Sequence, residues 1–264
     1  WGISFQSIAP MNEPETNYWY AMSEKQEGCH FDAGRSQSAI LIALREALTK
    51  RGLAHIQISA SDETSIDQQI ISLQALEEEA LKAVSRIDVH SYMGQKRKEL
   101  RNLVLEKGKN LWMSEVDGGD VAGENAGQMG AALWLAERII TDLNELRPSA
   151  WILWQVIDRH ICEQGYNGKR DAGMADLEKG YWGLAVANHD TDEILLTKKY
   201  YAMGQFSKFI RPGYQLLAVD GNTVAAYTAD KKSVVIVTVN LKALAEKISI
   251  DLTEVIEMNE TVYS

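Results

Sequence analysis

The chain has 264 residues, enough for one large core or for a core with a small satellite domain. Its hydrophobic content of 45% fits a globular protein, and a net charge of −10 with a pI near 5.1 argues against a nucleic-acid partner, which calls for basic patches. A neutral polysaccharide is compatible with that charge. Two cysteines, Cys29 and Cys162, exclude a disulfide framework and a zinc-ligand spacing, leaving either one bridge between them or two free thiols. No run is long and apolar enough to span a bilayer. No basic-then-apolar leader precedes Trp1, and because the chain begins with Trp directly before a strand its natural start is expected elsewhere.

Residues 3–10 read as a buried strand that ends in Asn12-Glu13-Pro14. The loop beyond carries Tyr18, Trp19 and Tyr20, whose flat rings suit the apolar faces of sugars, with at least one expected to pack under the loop instead. Asp32 is the expected N-cap of a helix in which Ile40, Leu41, Leu44, Ala47 and Leu48 recur at helical spacing, with Gly52 as its stop. Residues 55–61 form the next expected strand. Asp62 and Glu63 at its end either face a cleft or sit at the following turn, where Ser61 or Asp62 acts as a cap; the cap is preferred. Residues 66–84 show one amphipathic helical pattern, with Glu77, Glu78 and Glu79 as its wet face. Residues 86–92 are a strand on which His90 and Tyr92, two apart, point to one side.

Residues 96–107 read as a short, basic, solvated helix, and residues 110–114 as a strand that delivers Glu115. Gly118, Gly119 and Gly123 mark a tight turn. A helix over residues 127–146 stops before Pro148, and residues 150–155 form the last parallel strand, with Trp151 a core side chain. The polar stretch 159–179 is expected to wall a cleft. Residues 183–187 and 193–196 form a hairpin over 188–192, and residues 196–210 a helix. Short β-rich runs then cover 214–219, 223–228, 233–240 and 247–252, with turns at Asp220-Gly221-Asn222 and Asp230-Lys231-Lys232.

Two strands that each end in a glutamate, at Glu13 and Glu115, suggest a carboxylate pair able to divide acid/base and nucleophilic work on a glycosidic bond. Asn12-Glu13-Pro14, His90 with Tyr92, Ser114-Glu115, and the run from Lys198 to Gly213 together resemble glycoside hydrolase family 30. Gln26-Glu27-Gly28-Cys29 is most similar to its endo-β-1,6-galactanase branch.

The resemblance implies an α/β fold: the C-terminal portion of a (β/α)8 TIM barrel, from its fourth strand onward, over residues 1–211, and part of an antiparallel β-sandwich over 212–264. It implies that Glu13 is the general acid/base and Glu115 the nucleophile of a retaining double displacement. Asn12, Trp19, His90, Tyr92 and Trp154 are then substrate-binding, no metal or organic cofactor is needed, and the enzyme is a monomer, secreted or at the periplasm or cell surface, that acts on a polysaccharide or oligosaccharide. Counted against the family, the first three strand-helix units are absent, so the chain is expected to be a segment of a longer protein. The family's other branches cleave β-1,6-glucan, glucuronoxylan or glucosylceramide. A non-catalytic carbohydrate-binding protein is the reading from another class.

Overall fold

The computed structural model describes residues 2–22, 28–118, 128–162 and 182–251. These fall into two compact units, one made of Trp1–Asp117 with Glu145–Trp154, the other of Gly118–Asn144 with Gln155–Ser264. In this grouping the helices after Gly118 go with the later strands.

The first unit is built on a five-stranded sheet in the order β1 (Ser7–Ile8), β2 (Gln57–Ser65), β3 (Arg86–Met93), β4 (Asn110–Glu115), β5 (Ala150–Trp151). Every neighbouring pair is parallel. Helices α1 (Arg35–Lys50), α2 (Ile66–Ala75), α3 (Glu78–Ala83) and α4 (Arg97–Glu106) alternate with the strands, giving part of a (β/α)8 barrel. Ile58, Ile66, Leu73, Ile87, Val89, Leu100 and Met113 form the layer between sheet and helices, each no more than 1% exposed. Complete burial of such a side chain contributes roughly 1.5–3 kcal/mol. The other face of β3 is buried as well and polar: Arg86 donates from Nε and Nη2 to the two oxygens of Asp88 at 2.6 and 2.9 Å, and stacks over Trp112 of β4.

Several expected boundaries move, each for a local reason. Strand β1 is two residues long and lies at the sheet edge, and Ile3 and Phe5 are 73% and 70% exposed, so residues 3–10 are not a buried strand. With a neighbour on one side only, these side chains have no second layer to pack into. The pattern over 66–84 breaks into α2 and α3 at Leu76, whose ψ of 133° leaves the helical region. The amide of Glu77 donates to Ser38 Oγ on α1 at 3.0 Å, and this bond secures the break. The N-cap of α1 is Gly34 rather than Asp32; the Asp32 carboxylate meets His30 Nε2 instead. At the other end Gly52, at φ 72°, closes a Schellman motif: its amide donates to Thr49 O and that of Leu53 to Leu48 O. Arg97 departs from the solvated face expected of α4, being 4% exposed and donating to Gly94 O.

In the second unit, α5 (Met129–Thr141) runs into a π-helical turn at Asp142–Leu146 and packs against α6 (Lys198–Ser207). One sheet pairs β6 (Ile157–Ile161) parallel to β7 (Ala185–Asn188), and β7 antiparallel to β8 (Glu193–Leu196), the expected hairpin. Strand β6 occupies the start of the stretch expected to be loop; residues 163–179 of that stretch lie outside the described residues, as do Gly119, Gly123 and Gln26-Glu27. The other sheet is antiparallel, in the order β11 (Val234–Thr238), β10 (Thr223–Tyr227), β9 (Gln215–Leu216). Both expected turns form, with Gly221 and Lys231 at positive φ. Residues 247–251 are not a strand. Both cysteines are free, Cys29 exposed and Cys162 buried, and no helix among the described residues is long and apolar enough to cross a membrane.

Candidate active site

The ends of the first four strands of the parallel sheet converge on His90, which is completely buried. Its Nδ1 lies 3.1 Å from Glu13 Oε1, within hydrogen-bond distance, and 3.7 Å from Glu115 Oε1. Its Nε2 lies 3.3 Å from Asp62 Oδ1, out of line for a hydrogen bond, so this contact is an ion pair. Tyr92, two residues along β3, donates its hydroxyl to Glu115 Oε1 at 3.0 Å. An oxygen of Glu13, an oxygen of Glu115 and a nitrogen of His90 all lie within 4.8 Å of one another.

Register irregularities aim these groups. Ser61 pairs with Asp88 and Glu63 with Val89, so Asp62 is an extra residue in β2; Val89 pairs with Met113 and His90 with Glu115, so Ser114 is an extra residue in β4. Strict alternation would keep Glu115 on the face of Leu111 and Met113, and the bulge at Ser114 releases it toward His90. The two extra residues bond each other, Ser114 Oγ donating to Asp62 Oδ1 at 2.5 Å. Glu13 and Asp62 both have left-handed backbones, at φ 48° and 65°, joined by Glu13 N donating to Asp62 O at 2.8 Å. For residues with a Cβ this costs on the order of 1–3 kcal/mol each, a strain that persists where surrounding contacts over-determine it.

The charges fit the geometry. Burial opposes a proton on His90, but its contacts with Asp62 and Glu13 and the charges of Asp62 and Glu115 outweigh burial and push its pKa up to about 10. At neutral pH His90 is a cation among three acids. As a cation, His90 is the charge partner of these carboxylates. Burial raises the Glu115 pKa, against the lowering effects of His90 and the Tyr92 hydroxyl. Burial and the Glu115 charge raise that of Tyr92, which stays a donor.

Of the residues read from sequence, Glu13, His90, Tyr92 and Glu115 come together. Asn12 is half-buried beside Glu13. Trp154 lies three residues beyond β5, is 40% exposed, and donates its amide to Val116 O at 3.0 Å, beside the strand end that carries Glu115. Trp151 is half-buried. His90 is fully enclosed among the acids. Trp19 is tied into its loop: its Nε1 donates to Glu13 O at 2.9 Å, and its ring lies so close over Gly28 that a Cβ there would meet it at 2.6 Å. Of the three loop aromatics, Tyr20 is the most exposed, at 67%. Neither Ser61 nor Asp62 is the cap expected: Ser61 donates to Gln37 Oε1 and Asp62 joins the site, while Glu63 bonds to α1 and α2. The sequence signal for Asp62 was its place directly after the expected strand 55–61; in the structure it is the extra residue inside β2.

A partial parallel barrel with two glutamates at strand ends, grouped about one buried cation, defines a glycosidase-type carboxylate site. Known proteins place it more closely. The model of glycosyl hydrolase family 59 matches residues 29–176. The chain is 34% identical over 259 residues to an endo-beta-1,6-galactanase of Hypocrea rufa, covering 96% of this chain and 47% of that one. It is 24% identical over 278 residues to an exo-beta-1,6-galactobiohydrolase of Bifidobacterium longum, covering 94% of this chain and 18% of that one. A glycoside hydrolase family 30 subfamily 8 xylanase structure from Clostridium acetobutylicum shares the fold, with a TM-score of 0.59 and 23% identity over 89% of this chain and 50% of the other. The chain belongs to the glycoside hydrolases of family 30, the family its motifs resemble, and is also matched by the family 59 model. It spans about half the length of the galactanase and of the xylanase.

Proposed function

We propose that the chain carries the catalytic carboxylates of a retaining endo-β-1,6-galactanase. The observation behind this reading is the approach of Glu13 and Glu115 oxygens to within 4.8 Å of each other. That suits direct attack by one carboxylate, for which carboxyl groups stand about 5–5.5 Å apart, rather than the roughly 6.5–9.5 Å that leaves room for an inverting water. Glu115 attacks the anomeric carbon while Glu13 protonates the departing oxygen, and a glycosyl-enzyme forms. Water, deprotonated by Glu13, then attacks that ester and restores Glu115. The Tyr92 hydroxyl holds the Glu115 carboxylate in one orientation, and His90 compensates the crowded negative charge. Asn12 is assigned to the sugar 2-hydroxyl and Trp154 to a sugar face.

The similarity to the Hypocrea rufa galactanase supports the substrate choice. A polymer of this kind does not enter cells, so the enzyme is assigned to a secreted or cell-surface location and, as one site needs one chain, to a monomer. Residues 1–211 are assigned to the barrel of the whole protein and 212–264 to its β-sandwich.

Glu115→Gln is expected to abolish turnover with binding retained, measured by reducing-end release beside calorimetric titration with oligosaccharides. Azide is expected to rescue Glu115→Ala with inversion. Full activity of a clean Glu115→Gln preparation would sink the assignment, and release from xylan alone would overturn the galactan substrate.

A further inference from the structure

Glu63 is a buried carboxylate that the double displacement leaves unused. It is 1% exposed, and what faces it are hydrogen-bond donors from three directions. Its Oε1 accepts Gln37 Nε2 of α1 at 2.9 Å and Ser72 Oγ of α2 at 2.7 Å. Its Oε2 accepts the amide of Glu15 at 3.3 Å, two residues beyond Glu13. The polarity of this network is fixed by its outer members: Gln37 Oε1 is occupied by the Ser61 hydroxyl at 2.7 Å, so the amide nitrogen of Gln37 must face Glu63 and Phe31 O. Position 63 therefore calls for a side chain that only accepts. The same turn is held at its other points by Glu13 N on Asp62 O, and by Thr16 and Trp19 donating to Glu13 O.

We propose that Glu63 is a positioning residue for Glu13, clamping the turn that carries the acid/base to α1 and α2 through the Glu15 amide; this rests on the reading of Glu13 given above. Glu63→Gln isolates the clamp. The variant keeps length and volume, and its single carbonyl oxygen is retained where two donors converge, on the side of Gln37 and Ser72. Its NH2 then faces the Glu15 amide, donor against donor, and the turn is released while the ties to the helices stay.

A misplaced acid slows departure of an alkoxide, which needs a proton, far more than departure of a dinitrophenolate, which does not. The test compares kcat/KM for a 2,4-dinitrophenyl glycoside with that for an unactivated alkyl glycoside of the same sugar, in the natural full-length protein. Glu63→Gln is expected to raise that ratio at least tenfold over wild type, in the direction of Glu13→Gln and by less. Ser72→Ala, which removes a donor from Oε1 and leaves the Glu15 contact alone, is expected to lower Tm without moving the ratio.

Equal losses on both substrates, an unchanged ratio, or the same shift from Ser72→Ala would reduce Glu63 to a structural residue and overturn the proposal. If Glu63→Gln fails to fold, Glu63→Asp carries the same comparison, because it keeps the charge and withdraws it from Glu15 by one methylene. Absence of leaving-group dependence in Glu13→Gln would instead remove the assignment of Glu13, and the clamp with it. That outcome is read from a different protein and so is told apart from failure of the clamp alone.

Discussion

His90 holds its proton in a place that solvent does not reach, because Glu13, Asp62 and Glu115 surround it. A folded-state pKa of about 10 against an ordinary 6.5 makes the folded protein bind the proton more tightly than the unfolded chain does. The stabilisation is therefore full below pH 6.5 and is lost as pH rises toward about 10. Comparing melting temperatures of wild type and His90→Asn across that window should show a gap that narrows with rising pH. A gap independent of pH would mean that His90 is neutral in the fold. The Tyr92 hydroxyl donates to Glu115 at 3.0 Å, a bond to a charged group. Such bonds contribute roughly 1.5–3 kcal/mol, so Tyr92→Phe is expected to lower kcat by about 10- to 100-fold with a smaller change in KM. A change confined to KM would assign the hydroxyl to sugar binding instead.

At the level of elements, the helices and strands of the first unit stand close to where alternation and helical spacing put them, and the departures occur where a side chain from a distant segment intervenes. Ser38 secures the break between α2 and α3. Asp67 Oδ1 of α2 accepts the amides of Gln95 and Lys96 at 2.9 and 3.0 Å, serving the start of α4 from another helix. No local pattern in the sequence announces a partner dozens of residues away. Two glycines illustrate the difference between local and distant demands. Gly52, at φ 72°, has open space where a Cβ would go, so Gly52→Ala costs only backbone strain, about 1 kcal/mol. Gly94, at φ 94°, would place a Cβ 2.8 Å from the Asp67 backbone nitrogen and side-chain oxygen. Gly94→Ala is therefore expected to cost clearly more, because the strain is joined by loss of the cap. Urea unfolding of the two variants checks the order, and equal costs would contradict the tight approach.

At the level of the whole molecule, two compact units share one chain, and the first is completed by a segment, Glu145–Trp154, that returns after an excursion into the second. Calorimetry of this chain is expected to resolve two unfolding transitions, since separate cores need not melt together. His90→Asn should move one of them and leave the other. A single transition that shifts as a whole would show the units to be one cooperative body.

The sequence by itself determined the strand-helix alternation, the two glutamates at strand ends, and the shared side of His90 and Tyr92, because each follows from a period or from a residue next to a chain break. It did not determine that Asp62 belongs with them, that Glu63 turns to the helices, or that Trp19 packs inside its own loop. Those were decided by a bulge of one residue in β2 and by contacts between segments far apart in the chain. A one-residue shift of register reverses which face a side chain meets, and that choice is made by the partner strand, which the local pattern does not contain.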